Sequence, residues 1–297
     1  MILGRKKIGF MLMALLCACS GGTGDENPEA ESTRKEIKIS FGVQEIARAT
    51  DQTFELGDKI GLYVVNREGG QGQLLSSGNY VDNMRFAYNG SWTPDQSIYW
   101  KDDETKADFY AYYLYINLVD AAKCVFSVKA DQTALTDYKA SDFLLGKTLE
   151  VFPTERAVDI TLYHVFSCAR VKVAPGDGFT QSELDAANVQ VKLNHVRLTA
   201  SINLATGKVQ ATGDEQSIVL GKNGNYYRAL VVPQNIEETN LLVINVNGKD
   251  YALKKGLNFE PNKRYTFTVK VNKTSSGINI NIGQWDDDGE DYGGNAK

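Results

Sequence analysis

The sequence predicts an all-β protein arranged as two sandwich-like units in tandem. Three observations carry that prediction. Short runs along most of the chain alternate apolar and polar residues, the period of half-buried strands. Pairs such as Asn247-Gly248 and Thr206-Gly207 divide those runs, as tight hairpins require. Helical periodicity is scarce. At 297 residues, 42% apolar and 23% charged, the chain can bury cores for about two domains and is not composed like a disordered one.

The first segment reads as an address rather than structure. Arg5, Lys6 and Lys7 precede the apolar run Ile8 to Leu16. That run is too short to cross the ~30 Å of a bilayer's hydrocarbon. It ends in Leu16-Cys17-Ala18-Cys19, which resembles a bacterial lipobox with Cys19 as the acylated residue. Cys17 fits worse, because bulky Leu16 would precede it. Residues 1–18 are therefore expected to be a lipoprotein signal peptide. Acyl chains such as palmitate on Cys19 would anchor the chain in the outer membrane, each buried methylene contributing ~0.8 kcal/mol. Residues 19–35 are rich in Gly, Ser, Thr, Asn and acid, and read as a flexible tether.

The body begins near Glu36. Ile37-Lys38-Ile39-Ser40-Phe41 alternates cleanly, as do Val189 to Leu193 and Tyr265 to Val271. Ile278-Asn279-Ile280-Asn281-Ile282 puts three Ile on one strand face. Ile60 to Val65 and Phe109 to Tyr115 are more uniformly apolar, as expected of strands covered on both faces or lining a domain junction. Ser182 to Ala187 is the one short helix expected, with Ser182 as N-cap and Asp185 at N3. Asp142 to Pro153 reads as a linker. The expected units are 36–155 and 156–297, the second ending in an acidic tail.

Composition excludes several chemistries. The formal charge is -5, and without the first eighteen residues it becomes 37 acids against 29 bases, or -8. Such a surface offers nucleic acid no basic footprint. The two histidines, His164 and His195, lie in strand-like runs and read as structural. No HExxH, Walker A or GxGxxG motif is present. Asp102-Asp103-Glu104 reads as a solvated turn. Asp286 to Asp291 lacks the spacing of a calcium loop and reads as a solvated tail. The expectation is a protein without catalytic residues, metal or cofactor. Cys124 and Cys168 could pair in an exported protein, yet their apolar contexts suit buried thiols. Trp92 and Trp100, with Tyr99 between them, are candidate stacking platforms for a glycan.

Several segments together resemble one family. Arg48-Ala49-Thr50 is followed by Phe54, Gly57-Asp58 and Ile60-Gly61, then by Trp92 and Tyr99-Trp100. Asp108 to Tyr113, Ser141 to Gly146 and Leu162 to Ser167 come next. Tyr227 to Gln234 precedes Asn247-Gly248-Lys249, and Tyr265 to Val269 precedes Ile282 and Trp285. Their order and spacing across nearly the whole mature chain resemble the fimbrillin family, the Mfa-like and major-fimbrial-subunit-like type V pilins of the Bacteroides–Porphyromonas group.

The resemblance implies two transthyretin-like β-sandwiches. It also implies export as a surface-exposed outer-membrane lipoprotein and assembly into fimbriae used in adhesion. In that scheme an Arg-specific surface protease removes an N-terminal strand, and a donor strand from another subunit fills the vacated groove by β-augmentation. Carried onto this chain, Arg48 is the cleavage residue and Ala49 the new terminus. Ile37, Ile39 and Phe41 are the pegs of the removable strand. Other fimbrial subunits and a host or bacterial receptor are the implied partners. Ile278, Ile280 and Ile282 either serve as donor pegs or form the last core strand. The second reading suits a tip or accessory subunit better than a stalk subunit. The alternative function is a non-polymerising surface lipoprotein that binds glycans through Trp92 and Trp100.

Overall fold

In the computed structural model the described residues are 34–44, 54–70 and 72–273, with the backbone alone of 276–284. The two uniformly apolar runs become neighbouring strands, β2 (Lys59–Asn66) and β5 (Ala107–Tyr113), paired antiparallel from Gly61 opposite Tyr112 to Asn66 opposite Ala107. Their alternate residues enter two different cores. Ile60, Leu62, Val64, Phe109 and Ala111 join one; Tyr63, Val65, Tyr110 and Tyr112 join the other. A strand covered on both faces has no polar side to display, which is why these runs do not alternate.

Around this pair lies a seven-stranded sheet. β3 (Val81–Tyr88) and β4 (Trp92–Pro94) extend it from β2. β7 (Leu144–Val151), β8 (Val158–His164) and β1 (Ile39–Val43) extend it from β5. Residues of β1, β2, β3, β5 and β8 all enter one cluster, so the sheet must curl over on itself. Asp108 of β5, 1% exposed, accepts from Nη1 of Arg67 at 2.8 and 3.1 Å and from the backbone N–H of Glu150 at 2.7 Å. The buried carboxylate is thus both paired and hydrogen-bonded.

Two five-stranded sheets make the rest. One runs β11 (Val209–Val219), β10 (Val189–Ile202), β14 (Gln234–Val246), β15 (Lys249–Phe259), with β6 (Cys124–Ser127) added to the far half of β10. The other runs β12 (Gly221–Asn223), β13 (Tyr226–Val231), β9 (Ser167–Pro175), β16 (Lys263–Val271), β17 (Ser276–Gln284). Their inner faces share the larger core, where Val191, Leu193, Ile244, Val171 and Phe267 are all buried. The β14–β15 hairpin closes on Asn247 and Gly248 with φ of 52° and 89°, the type I′ geometry the sequence predicts.

The all-β prediction holds. The first sheet runs past the expected division between 155 and 156 by one strand. β8 pairs with both β1 and β7, so the chain leaves that sheet only after His164. The short helix is present as α2 (Gln181–Ala186), but its cap is Thr180, not Ser182. Thr180 and Glu183 form a reciprocal capping box, which satisfies two end N–H groups at once. A second short helix, α1 (Leu135–Lys139), lay outside the sequence expectation.

Gly61 stands opposite Tyr112, whose hydroxyl donates to Ile116 O at 2.7 Å and lies 2.6 Å from Asn83 Oδ1. A Cβ at 61 would run into the Tyr112 ring and Asn83. Gly61→Ala is expected to destabilise the fold by about 1–3 kcal/mol through overpacking. Urea denaturation followed by Trp fluorescence measures it; a shift no larger than that of Gly42→Ala, where the space is open, would contradict it.

Candidate functional site

A sheet that curls must close somewhere, and here the closing piece is the first strand. Residues 35–44 form a ribbon with partners on both sides. On one side β1 runs parallel to β8, with Ile39, Phe41 and Val43 opposite Val158, Ile160 and Leu162. The N–H of Val158 donates to Lys38 O at 2.8 Å, and that of Gln44 to Leu162 O at 2.9 Å. On the other side the N–H of Ile37 donates to Ile98 O at 2.7 Å and that of Trp100 to Lys35 O at 2.9 Å. Glu36 bridges antiparallel to Tyr99, and its side chain accepts from Ser97 Oγ at 2.7 Å.

Alternation decides which side chains enter the core. Ile37 and Phe41 are buried and Ile39 is half-buried, while Lys38, Ser40 and Gly42 are exposed. Phe41 lies edge-on to Phe86 at 5.3 Å and to Trp92 at 5.2 Å. Phe86 and Trp92 belong to β3 and β4, at the opposite end of the strand order from β1. One ring therefore joins the two ends of the sheet. Burying Ile37 and Phe41 contributes about 1.5–3 kcal/mol each, and each backbone bond a further ~1 kcal/mol net. Lys35 and Asp103 form an ion pair at 2.9 Å, but both are exposed and it contributes little.

Arg48, Ala49 and Cys19 lie outside the described residues. Arg48 falls within 45–53, the stretch joining the ribbon to Phe54. Phe54 packs edge-on against Trp92 at 4.8 Å and Tyr113 at 6.0 Å, so the chain re-enters the same aromatic cluster that Phe41 occupies. The backbone of Ile278, Ile280 and Ile282 lies in β17, opposite Val269, Phe267 and Tyr265 of β16.

The two tryptophans have parts in the seat that sequence reasoning missed. Trp100 is 2% exposed, lies edge-on to Phe109 at 5.6 Å and donates from Nε1 to Thr154 O at 3.1 Å. Its burial leaves no face for a sugar, which corrects its reading as a stacking platform. Trp92 is half-buried and its neighbours are Phe41, Phe54 and Tyr88. The missed seat residues are Ile98 and Phe86 and the backbone of Tyr99. The only signal for them was the density of aromatic and apolar residues between Phe86 and Trp100.

The histidines and the Asp102 turn have local hydrogen-bond partners. His164 is buried, with Nδ1 at 2.8 Å from Asp142 Oδ1. His195 sits in a bulge of β10 with φ of 59°, its Nδ1 3.2 Å from Glu215 Oε2. Asp102 accepts from the Thr105 hydroxyl and from the N–H groups of Thr105 and Glu104, which holds its carboxyl down to about 2. Among the described residues no group of three or more His, Cys, Asp or Glu could hold a metal ion. Cys124 and Cys168 are both buried and not disulfide-bonded. Burial pushes the Cys124 thiol up to about 12 and raises that of Cys168.

Comparison with known proteins agrees with this architecture. A family model described as fimbrillin-like matches residues 47–285. A candidate fimbrium subunit, Fim1C of Bacteroides uniformis, is 26% identical over 286 residues, covering 91% of each chain. A crystal structure of a candidate cell adhesion protein from Bacteroides uniformis superposes with a TM-score of 0.65 at 22% identity, covering 86% of this chain and 98% of that one. Another such protein, from Bacteroides ovatus, gives 0.67 at 19% identity, covering 85% and 98%.

Two outcomes are expected at these sites. Phe41→Ala should speed hydrogen exchange of the 39–43 amides roughly a hundredfold, the equivalent of about 3 kcal/mol. Exposed Ser40→Ala should leave them unchanged; equal effects of the two would remove Phe41 as the ribbon's main anchor. Because only thiolates react, iodoacetamide at pH 8 should spare Cys124 and Cys168 in the folded protein and label both in denaturant. Rapid labelling of the native form, read by mass spectrometry, would contradict their burial.

Proposed function

Because this chain belongs to the fimbrillin-like family, we propose that it is a subunit of a cell-surface fimbria, assembled by protease-triggered strand exchange and used in adhesion. The observation that carries the reading is the two-sided seating of residues 35–44. The ribbon has backbone partners along both edges and two buried apolar pegs. Downstream it is tied to the rest of the chain through the stretch that contains Arg48.

The physics of exchange follows from that seating. A cut after Arg48 leaves the ribbon held by non-covalent contacts alone and attached only to the upstream tether. Its departure would expose the edge of β8, the carbonyl of Ile98 and pockets lined by Phe86 and Trp92. Unpaired edges and bare pockets are costly in water, and an extended strand with apolar residues at alternate positions meets both needs. The donor would come from another fimbrial subunit. Before processing, the acylated thiol of Cys19 would hold the precursor at the outer membrane, facing outwards, where an Arg-specific surface protease reaches it.

The pairing of β17 with β16 along its whole length supports the reading of Ile278 to Ile282 as a resident strand. That favours a tip or accessory subunit over a stalk subunit. The glycan-binding alternative is weakened by the burial of Trp100.

Arg48→Ala tests the scheme in cells. The expected result is a surface protein whose N-terminus stays upstream of Ala49, by mass spectrometry, and which is missing from detergent-resistant polymers on gels. Polymers containing the uncleaved ribbon would overturn strand exchange at this seat.

A further inference from the structure

The sheet β12-β13-β9-β16-β17 has one face in the core and one turned away from it, where Tyr138 of α1 covers Cys168 and Leu230 and most of the rest is polar or charged. On the outer face Arg228 of β13 stands opposite Arg170 of β9, and Arg264 of β16 stands opposite Cys168, two residues from Arg170. Lys172 and Lys270 share that face by alternation. No Asp or Glu occurs in any of the five strands. In a chain of net charge -5 this is a concentrated basic surface. It is also ordered: the Arg170 guanidinium stacks 3.8 Å from the Tyr226 ring centroid and that of Arg228 4.1 Å from Tyr138. The buried Nε of Arg170 has no hydrogen-bond partner among the described residues.

We propose that this arginine face is the docking surface for the chain's own acidic C-terminal segment, Asp286 to Asp291. Charge complementarity and reach select that occupant. The segment holds Asp286, Asp287, Asp288, Glu290 and Asp291, and it follows β17, the edge strand of this same sheet. Gly283 of β17 stands opposite Arg264, three residues before Asp286 in the sequence. Strands lie about 4.8 Å apart, and Arg170 and Arg228 stand two residues further along than Arg264, which puts the three roughly 5, 12 and 16 Å from Gly283. Six extended residues cover roughly 20 Å. The segment therefore spans all three arginines, laid across the strands. Carboxylate–guanidinium pairs on a preordered, partly buried surface are the stronger kind of ion pair. Docked in this way, the segment clasps β17 against β16 and holds the last strand in its own subunit.

The test is hydrogen exchange by mass spectrometry on the full chain. The first variant neutralises the segment: Asp286→Asn, Asp287→Asn, Asp288→Asn, Glu290→Gln and Asp291→Asn together, which leaves the sheet untouched. Exchange across 276–284 is expected to rise at least about tenfold, and 0.5 M salt should reproduce the rise in the unaltered chain. A second variant, D286K/D287K/D288K, should behave the same and be restored by adding Arg170→Glu and Arg228→Glu. Unchanged exchange in the neutralised variant, or no restoration in the swapped one, overturns the proposal. Protection that appears only as protein concentration rises would assign the face to a second copy's tail and overturn docking within one chain. None of these readouts involves Arg48 or polymer formation, so this proposal and strand exchange fail separately.

Discussion

The closing of the first sheet by Phe41 is the constraint on which the remaining structure rests. A seven-stranded sheet that curls around one core leaves two ends to be joined, and hairpins between successive strands cannot join them. Residues 35–44 do so, with β8 on one side and Ile98 to Trp100 on the other. The aromatic contacts from Phe41 to Phe86 and Trp92 link the side chains of the two ends. The segment that completes this core is also the one nearest the start of the described chain. The stability of this core therefore resides in the few residues that the proposed exchange would remove.

β2 and β5 couple that core to the larger one. Because their successive residues point into different clusters, a change at one face is felt by the backbone of the other. Gly61 shows how tight the arrangement is: the cross-strand ring of Tyr112 occupies the space a side chain would need. The second sheet system is tied in differently, by β6, which leaves the first half of the chain and adds to β10 through Cys124 opposite Ile202. Leu204 and Ala121 are bonded nearby, the N–H of the first donating to the second at 2.9 Å. Two cores are thus joined by shared strands rather than by a linker.

What the sequence made legible was local. The ribbon's alternation, the two-faced character of Ile60 to Val65 and the Asn247-Gly248 turn can each be read from neighbours a few residues apart. The features that escaped are pairings between distant segments. Nothing near β8 says that it bonds to β1 rather than opening a new domain, because Val158 to His164 alternates like any half-buried strand. Trp100 looked available because an aromatic residue beside Tyr99 has no local mark of burial; Phe109 and Thr154 cover it from elsewhere in the chain. The helix cap shifted for a simpler reason. Thr180 and Glu183 carry the stronger capping signature, and Ser182 lies inside the helix they define.

β1 and β8 run in the same direction, and parallel neighbours need a long connection or separate origins. Here the partner is β1, which precedes every other described strand, and more than a hundred residues separate it from β8. An occupant that reproduces the same bonding must point the same way as β8. Were such seats filled from one subunit to the next, as proposed, each would have a sense, like an arrow, and the array would be heterologous and open-ended, with one growing pole.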